Sequence, residues 1–488
     1  MAIIFIVVWT GTPAALRGQA AVSPFVAEGV AEPLEQPSAQ LTRLPAAPAE
    51  VQVAVPEPEA PSAPAQATSP PANDLDAVLR RLETLEMQVA AQSPEKKPDD
   101  GWIDVSSEKW TVKLGGHVQM DYINWAHASP AIVGDQNYFE FRRLRLTADG
   151  SGYGVFDFRL QMTLEPETVG ESGGAATSPD VRDAYLSMNE IPWLGRFRIG
   201  NFFVPFSLEQ VTNDTFNLFL ERSIPTQGIF AADRDVGVAF YNYTPDQRVT
   251  WTYGMFFDNI SDTLKERIDD NQGYRLSGRL TWLPYYDELS NGRYLVHTGV
   301  GILHTDDQDD RVRFRARPQI HEGPRLIDSG TLAADTYTTG NLEFAVVWGR
   351  VTLQSEAFLS SINLDAGDPV NFSGAYAHVS YFLTGENRVF ERFGQHGAQF
   401  GRNVPFTNFF AVPGGIGSGA WEAKARWSYL DLSQVDRGQY NDLTVGFNWY
   451  WTDRIRMMFD WIHPMPSSET VFGAADADIL GMRFDFNW

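Results

Sequence analysis

The sequence predicts an all-β chain, a transmembrane antiparallel β-barrel of about 16 strands preceded by a disordered leader and a short coiled coil. Three observations carry this. Apolar and polar residues alternate strictly up to the last residue: in "LGMRFDFNW" (480–488), Leu480, Met482, Phe484, Phe486 and Trp488 share one parity and Gly481, Arg483, Asp485 and Asn487 the other. Such stretches are mostly about 9–12 residues long, the length of a tilted membrane-crossing strand. In a chain of 488 residues with a mean hydropathy of −0.26, no apolar run after the first few residues reaches the roughly 20 that a spanning helix needs.

Composition narrows the function. A net charge of −24 argues against nucleic acid as a partner, because phosphate is neutralised by a basic surface. The chain has no cysteine, and so no disulfide, thiolate metal site or cysteine nucleophile. Its histidines, among them His117, His297, His304, His321, His378 and His396, lack HExxH or similar ligand spacing, and no P-loop, GxSxG or dinucleotide fingerprint occurs. Neither an enzyme nor a cofactor is expected.

The N-terminus reads as a series of appendages. Residues 1–20 hold "IIFIVVW" followed by "RGQAA", an export signal without the usual basic start, or else a buried strand. Residues 21–72, rich in Pro, Ala, Glu and Ser, bury too little to fold and form a disordered tether. In 73–92, Leu75, Val78, Leu82, Leu85 and Val89 recur at spacings of three and four behind the capping Asn73. That is a short coiled coil, too short to hold without an oligomer to gather the chains, or a solitary amphipathic helix. A linker, 93–109, leads to the barrel domain, 110–488.

Strands follow from Trp110 onward. "WTVKLGGHVQMDY" sets Val112, Leu114, Val118, Met120 and Tyr122 against Lys113, His117, Gln119 and Asp121. "VFDFRLQMTLE", "AWEAKARWSYL", "LTVGFNWYW" and "RIRMMFDW" repeat the pattern. Charges of both signs on the polar face suit a water-filled interior, and apolar residues on the other face suit lipid. Aromatics near strand ends (Trp110, Tyr122, Trp282, Trp348, Trp449, Trp451, Trp488) fit interfacial girdles. "MRFDFNW" is then the closing strand, which removes both sheet edges, and its terminal Trp488 resembles the signal by which outer-membrane barrels reach the barrel-assembly machinery. Counted from an exported N-terminus, "ADGSG" (148–152), "TPDQ" (244–247) and "GR" (349–350) are tight periplasmic turns, and 204–234 and 305–338 are long external loops. Residues 385–418 break that asymmetry: a missed hairpin, or an elaborated turn.

Loop 204–234 is too apolar for water, with Phe206, Leu208, Phe216, Leu218, Phe219, Leu220 and Phe230, and is expected to fold back inside as a constriction. Its polar members Glu209, Asn213, Asp214, Glu221, Arg222 and Arg234 either face the pore or pin the loop. Strand arginines should point inward, since one facing lipid near the bilayer midplane costs about 2–4 kcal/mol. In "FRRLRL", Arg143 and Arg145 oppose Leu144 and Leu146, beside Arg142; Arg159, Arg275 and Arg279 oppose apolar neighbours; Arg311, Arg313, Arg315 and Arg317 share one parity. Rows of guanidinium suit a stepwise anion path, phosphate especially. The competing reading is an interior salt lattice, with Asp121, Asp157, Asp183, Glu343 and Glu356 also inward. The row Arg311–Arg317, uninterrupted by acid, favours a ladder.

"FRRLRL", "GNFFVPFSLEQVTNDTFNLFLERS", "RDVGVAFYN", "RFRARPQIHEGPRLIDSG", "YFLTGENRVF", "GAWEAKARWSYLDL" and "LTVGFNWYWTDRIRMMFDWI" together resemble the phosphate-selective porin O and P family over nearly all of 110–488. The resemblance implies a 16-stranded trimeric outer-membrane porin with an inward third loop and an arginine ladder, to which Arg142, Arg143, Arg313, Arg315 and Arg317 would belong. It departs in one place. Family members commonly carry lysine in the third-loop region, where this chain has Phe203 and "TNDTF", and no lysine occurs between Lys113 and Lys265.

The expectation is passive diffusion of small hydrophilic solutes, anions such as phosphate foremost, through an arginine-lined channel narrowed by loop 204–234 in the bacterial outer membrane. The partners expected are membrane lipid, small solutes and two further copies of the chain. Alternatives from other classes are an envelope-tethering barrel, in which the leader does the work, and a barrel-borne hydrolase.

Overall fold

A computed structural model describes residues 103–104, 109–132, 137–165, 180–257, 272–412 and 415–488. The expected signal, tether and coiled coil, and most of the linker, lie outside the described residues. Among these residues, sixteen long strands make one antiparallel wall: β1 (Trp110–Ala128), β2 (Tyr138–Gly152), β3 (Phe156–Thr163), β4 (Asp180–Ile191), β5 (Gly195–Phe203), β6 (Arg234–Tyr243), β7 (Val249–Phe257), β8 (Tyr274–Tyr286), β9 (Tyr294–Asp306), β10 (Leu332–Trp348), β11 (Val351–Leu364), β12 (Val370–Phe382), β13 (Ala420–Asp431), β14 (Gln439–Tyr450), β15 (Ile455–Pro466) and β16 (Ala477–Asn487). Each pairs with its sequence neighbour. β1 also pairs with β16, His117 opposite Asn487 and Asp121 opposite Arg483, so the sheet closes and the wall keeps no free edge.

Closure extends through the last residue. Trp488 exchanges backbone hydrogen bonds with Gly116 (3.1 and 3.3 Å), and its ring lies where a Cβ on Gly116 would be, within 2.1 Å. Glycine there is a condition of seating the terminal tryptophan.

The two wall faces are the reverse of those of a protein folded in water. Leu146, Leu160, Ile199, Leu280, Ile302, Leu342 and Leu359 are exposed, whereas Gln119, Ser187, Arg198, Glu343, Arg426, Asp442 and Arg483 are buried. Lipid outside and a polar interior satisfy both. At the end of the barrel that carries the short turns, aromatic rings meet: Trp110 with Tyr153 (5.8 Å), Tyr294 with Trp348 (5.2 Å) and Trp421 with Trp449 (4.8 Å). These rings form the girdle expected at a membrane interface.

Two boundaries differ from the sequence expectation, and the long stretch at the short-turn end takes a form that was expected. "ADGSG" (148–152) belongs to β2, and the chain turns at 153–155, where Tyr153 and Gly154 have φ of 52° and 74°. Gly150 and Gly152 make room for the rings of Phe158 and Trp110, which cover them, rather than for a turn. The long connection after β9 is 307–331: Asp306 is still paired with β10, and β10 begins at Leu332, where Leu332 and Ala333 pair with Val312 and Arg311 of the connection itself. The long stretch at the short-turn end, between Phe382 and Ala420, is an elaborated turn with two short hairpins, Phe390–Gly394 with Gly397–Phe400 and Phe410–Val412 with Gly415–Gly417.

Candidate functional site

The barrel interior is crossed by loop 204–233, segment 307–331 and the inner part of the elaborated turn. Loop 204–233 starts with a short helix, α1 (Leu208–Val211), whose first turn is capped by Ser207, and a 3-10 turn, Asp214–Phe216, capped by Asn213 Oδ1 accepting from the Thr215 N–H. Phe206, Leu220, Ile224 and Phe230 pack with Phe314, Ile320 and Leu326 of the second segment and with Phe358, Phe372 and Met458 of the wall.

A loop buried this way must place its backbone polar groups. Side chains of the wall and of the elaborated turn do so. Glu356 accepts from the N–H groups of Leu208 and Glu209 (3.0 and 2.8 Å), and Asp460 from Leu220 (3.0 Å). Lys424 donates to the Leu218 carbonyl (2.8 Å), Arg456 to Asn217 (2.7 Å) and Arg388 to Phe216 (2.9 Å).

The charged side chains of the loop are also spoken for. Asp214 lies 2.8 Å from Arg143 Nε and 2.6 Å from Arg145 Nη1, and Arg143 also donates to Gln119. Glu221 takes a two-point contact from Arg142 (2.7 and 3.1 Å) and one from Arg483 (2.9 Å), which itself grips Asp121. Burial by itself raises a carboxyl pKa. At Asp214 the charges of Arg145 and Arg143 outweigh it, at Glu221 those of Arg142 and Arg483, and both carboxyls sit well below the usual range. Glu209 accepts from Ser223 (Oγ, 2.6 Å) and lies 3.4 Å from Arg426; Arg222 caps the carbonyls of Glu209, Gln210 and Thr212. Arg234 pairs with Asp183 (2.8 Å) and lies over the Phe203 ring (3.8 Å).

A bulge explains Arg142. Gln119 is opposite Arg143 but Met120 is opposite Phe141, so Arg142 is the extra residue, and two consecutive arginines turn inward. Strict alternation would have placed one of them in lipid.

The other wall arginines that the sequence singles out are paired too. Arg159 makes a two-point contact with Asp149 (2.6 and 2.7 Å), Arg275 bonds to Asp235 and to Thr305, and Arg279 makes a two-point contact with Glu343 (2.7 and 2.9 Å) and donates to the Ala398 carbonyl. Glu343 also accepts from His297, and Arg198 joins the wall to the elaborated turn through the Gln395 carbonyl (2.9 Å).

Segment 307–331 is built differently. Val312, Phe314 and Ala316 are buried, while Arg311, Arg313 and Arg315 between them are exposed. Arg311 and Val312 pair with Ala333 and Leu332 at the start of β10, and Arg313 and Arg315 follow on an arm within the barrel mouth. The return strand brings Asp328 to Arg313, and Glu322 lies 3.5 Å from Arg317; among the described residues, neither Arg311 nor Arg315 has a carboxylate at ion-pair distance. Gln319, at the tip, is fully buried and donates to Ser428 (2.7 Å) and Asp442 (2.6 Å) on the wall beyond.

Two cavities remain along β4 and β5. One, of about 290 Å³ at the long-loop end, is lined by Arg182, Arg234 and Arg275 with Asp180, Asp233 and Asp235. The other, of about 320 Å³ at the short-turn end, has four cationic side chains, Lys113, Arg159, Arg196 and Arg198, against two carboxylates, Asp149 and Asp157. The bases that anchor the loop from the far wall, Lys424, Arg426, Arg456 and Arg483, were not singled out by the sequence reading, although alternation in "AWEAKARWSYL", "RIRMMFDW" and "MRFDFNW" marks all four as inward.

Comparison with known proteins agrees with this architecture. The family model described as "Phosphate-selective porin O and P" matches residues 112–488. An uncharacterised protein of Caulobacter vibrioides is 30% identical over 82% of this chain and 73% of its own length, and Porin O of Pseudomonas aeruginosa is 22% identical over 73% and 83%. Among solved structures, the anion-selective porin of Comamonas acidovorans covers 78% of this chain and 100% of its own at 14% identity and a TM-score of 0.46. A loop-deletion mutant of the outer-membrane protein OmpT of Vibrio cholerae covers the same shares at 10% identity and a TM-score of 0.49.

Proposed function

The chain belongs to the phosphate-selective porin O and P family and is a porin of the bacterial outer membrane, and on that premise we propose that it passes small anions by diffusion, phosphate among them, as a homotrimer. The observation that carries the anion preference is the pair Arg311 and Arg315, exposed without a carboxylate at ion-pair distance on a segment whose alternate residues are buried, while Arg313 between them is held in a two-point contact by Asp328. Guanidinium groups that face water attract anions, whereas those locked in two-point carboxylate contacts have their charge cancelled locally.

In this reading the two sets of arginines have separate tasks. Arg142, Arg143 and Arg145 hold loop 204–233 across the interior and fix the width of the passage, with Glu209, Asp214, Glu221 and Arg222 as the loop's share of the fastening. The row on segment 307–331 gathers anions at one mouth, and the excess of cationic over acidic lining in the short-turn cavity receives them at the other. Without the lysines common in the family's third loop, and with the arginines there committed to carboxylates and backbone carbonyls, affinity for phosphate at the loop is expected to be modest.

Phosphate titrated against the chloride current of the purified protein in a planar bilayer tests this. Saturable block by phosphate supports the reading. A chloride current indifferent to phosphate leaves a general porin.

A further inference from the structure

Where segment 307–331 meets the wall, three metal-ligating side chains converge. His321 Nδ1 lies 2.8 Å from Glu140 Oε2 on β2 and 3.7 Å from Glu322 Oε1, and one ligand atom from each residue lies within 4.8 Å of the others. Two ligands around a tetrahedral zinc ion are separated by about 3.3 Å, given metal–ligand distances of 2.0–2.2 Å, and the separations of 2.8 and 3.7 Å fall on either side of it.

A second observation points to a missing partner. The Glu140 side chain is nine-tenths buried, and its Oε1 is fully buried without a hydrogen-bond donor. Arg142, the nearest arginine on the same strand, is committed to Glu221 by its two-point contact. Arg317 is 3.5 Å from the other oxygen of Glu322, which leaves Oε1 for the cluster. The Glu322 N–H donates to the Tyr138 hydroxyl (3.1 Å), so the backbone holding two of the ligands is itself tied to β2.

We propose that Glu140, His321 and Glu322 bind a divalent transition-metal ion, zinc being the best match to one imidazole and two carboxylates, and that the ion clamps the tip of segment 307–331 to the barrel wall. The fourth position is left to water. A clamp here steadies the arm that carries Arg311, Arg313 and Arg315 without touching those residues. The site does not depend on what the pore transports.

Zinc chloride titrated calorimetrically into the untagged, detergent-purified full chain tests the proposal, alongside H321A, E140Q and E322Q. All variants keep the other seven histidines, and their heat-shifted migration on gels verifies a folded barrel. One zinc per chain in the wild type, with affinity at least about tenfold lower in each folded variant, and slower hydrogen exchange across 307–331 on adding zinc are the expected results. A wild type that binds no zinc, or variants that bind it equally well, overturns the proposal.

Discussion

Loop 204–233 and segment 307–331 both cross the barrel interior, yet they treat charge in opposite ways. In the loop, Asp214 and Glu221 are buried against Arg143, Arg145, Arg142 and Arg483, and backbone carbonyls take up Lys424, Arg456 and Arg388. In the segment, apolar residues bury and the arginines between them face water. The same residue type is thus tied to carboxylates in one region and, at Arg311 and Arg315, left exposed to water in the other. A tally of arginines on the sequence cannot separate the two, because the carboxylate that decides the matter comes from a distant part of the chain.

The largest expected effect comes from removing a fastener. Asp214→Ala leaves Arg143 and Arg145 buried without their carboxylate, a loss of about 3–5 kcal/mol in the anchoring of the loop. Single-channel conductance should rise as the loop comes away from the wall, and protease should cut within 204–233. Next is charge reversal on the segment. Arg311→Glu with Arg315→Glu should raise the phosphate concentration for half-block by roughly twofold to thirtyfold, at about 0.2–1 kcal/mol for each exposed charge, with little change in conductance at high salt, where screening is strong.

Acid should affect the two regions differently. Asp214 and Glu221 are held well below their ordinary values, so the stability they lend the loop is complete above the unfolded values near pH 4 and is lost only as pH falls from there toward the depressed folded values. Conductance recorded from pH 7 down to about pH 4 should therefore stay level, and a loosening of the loop above pH 5 would show these pairs to be weaker than drawn. The smallest effect belongs to Asp233→Asn. That carboxylate is half-exposed between Arg182 (2.8 Å) and Arg234 (3.1 Å), which keeps its bond to Asp183, and its loss should cost about 1 kcal/mol or less, read as a nearly unchanged melting profile.

The wall was legible because alternation along a strand is a local property. "LGMRFDFNW" announced both its faces and its place at the seam. The bulge at Arg142 was not read, although its signal is in the sequence: apolar residues hold odd positions at Phe139 and Phe141 and even ones at Leu144 and Leu146, and the doubled arginine marks the change of phase. The inward fold of loop 204–233 followed from its phenylalanines and leucines, but its pairings did not, since Asp214 is 69 residues from Arg145 and Glu221 is 262 from Arg483. Segment 307–331 read as a ladder because no acid interrupts its row. Asp328 and Glu322 return to Arg313 and Arg317 only after the chain reverses. "ADGSG" read as a turn because glycine is ambiguous: in β2 it makes room for aromatic rings.

The zero-current potential across a potassium chloride gradient, recorded for the wild type, for Arg143→Gln and for Arg311→Gln with Arg315→Gln, tests the division of labour most directly. The account predicts an anion-selective wild type whose selectivity falls in the double variant and is retained in Arg143→Gln even as its conductance changes. Selectivity lost in Arg143→Gln and kept in the double variant would contradict it, and would make the paired wall arginines the ones that solutes meet.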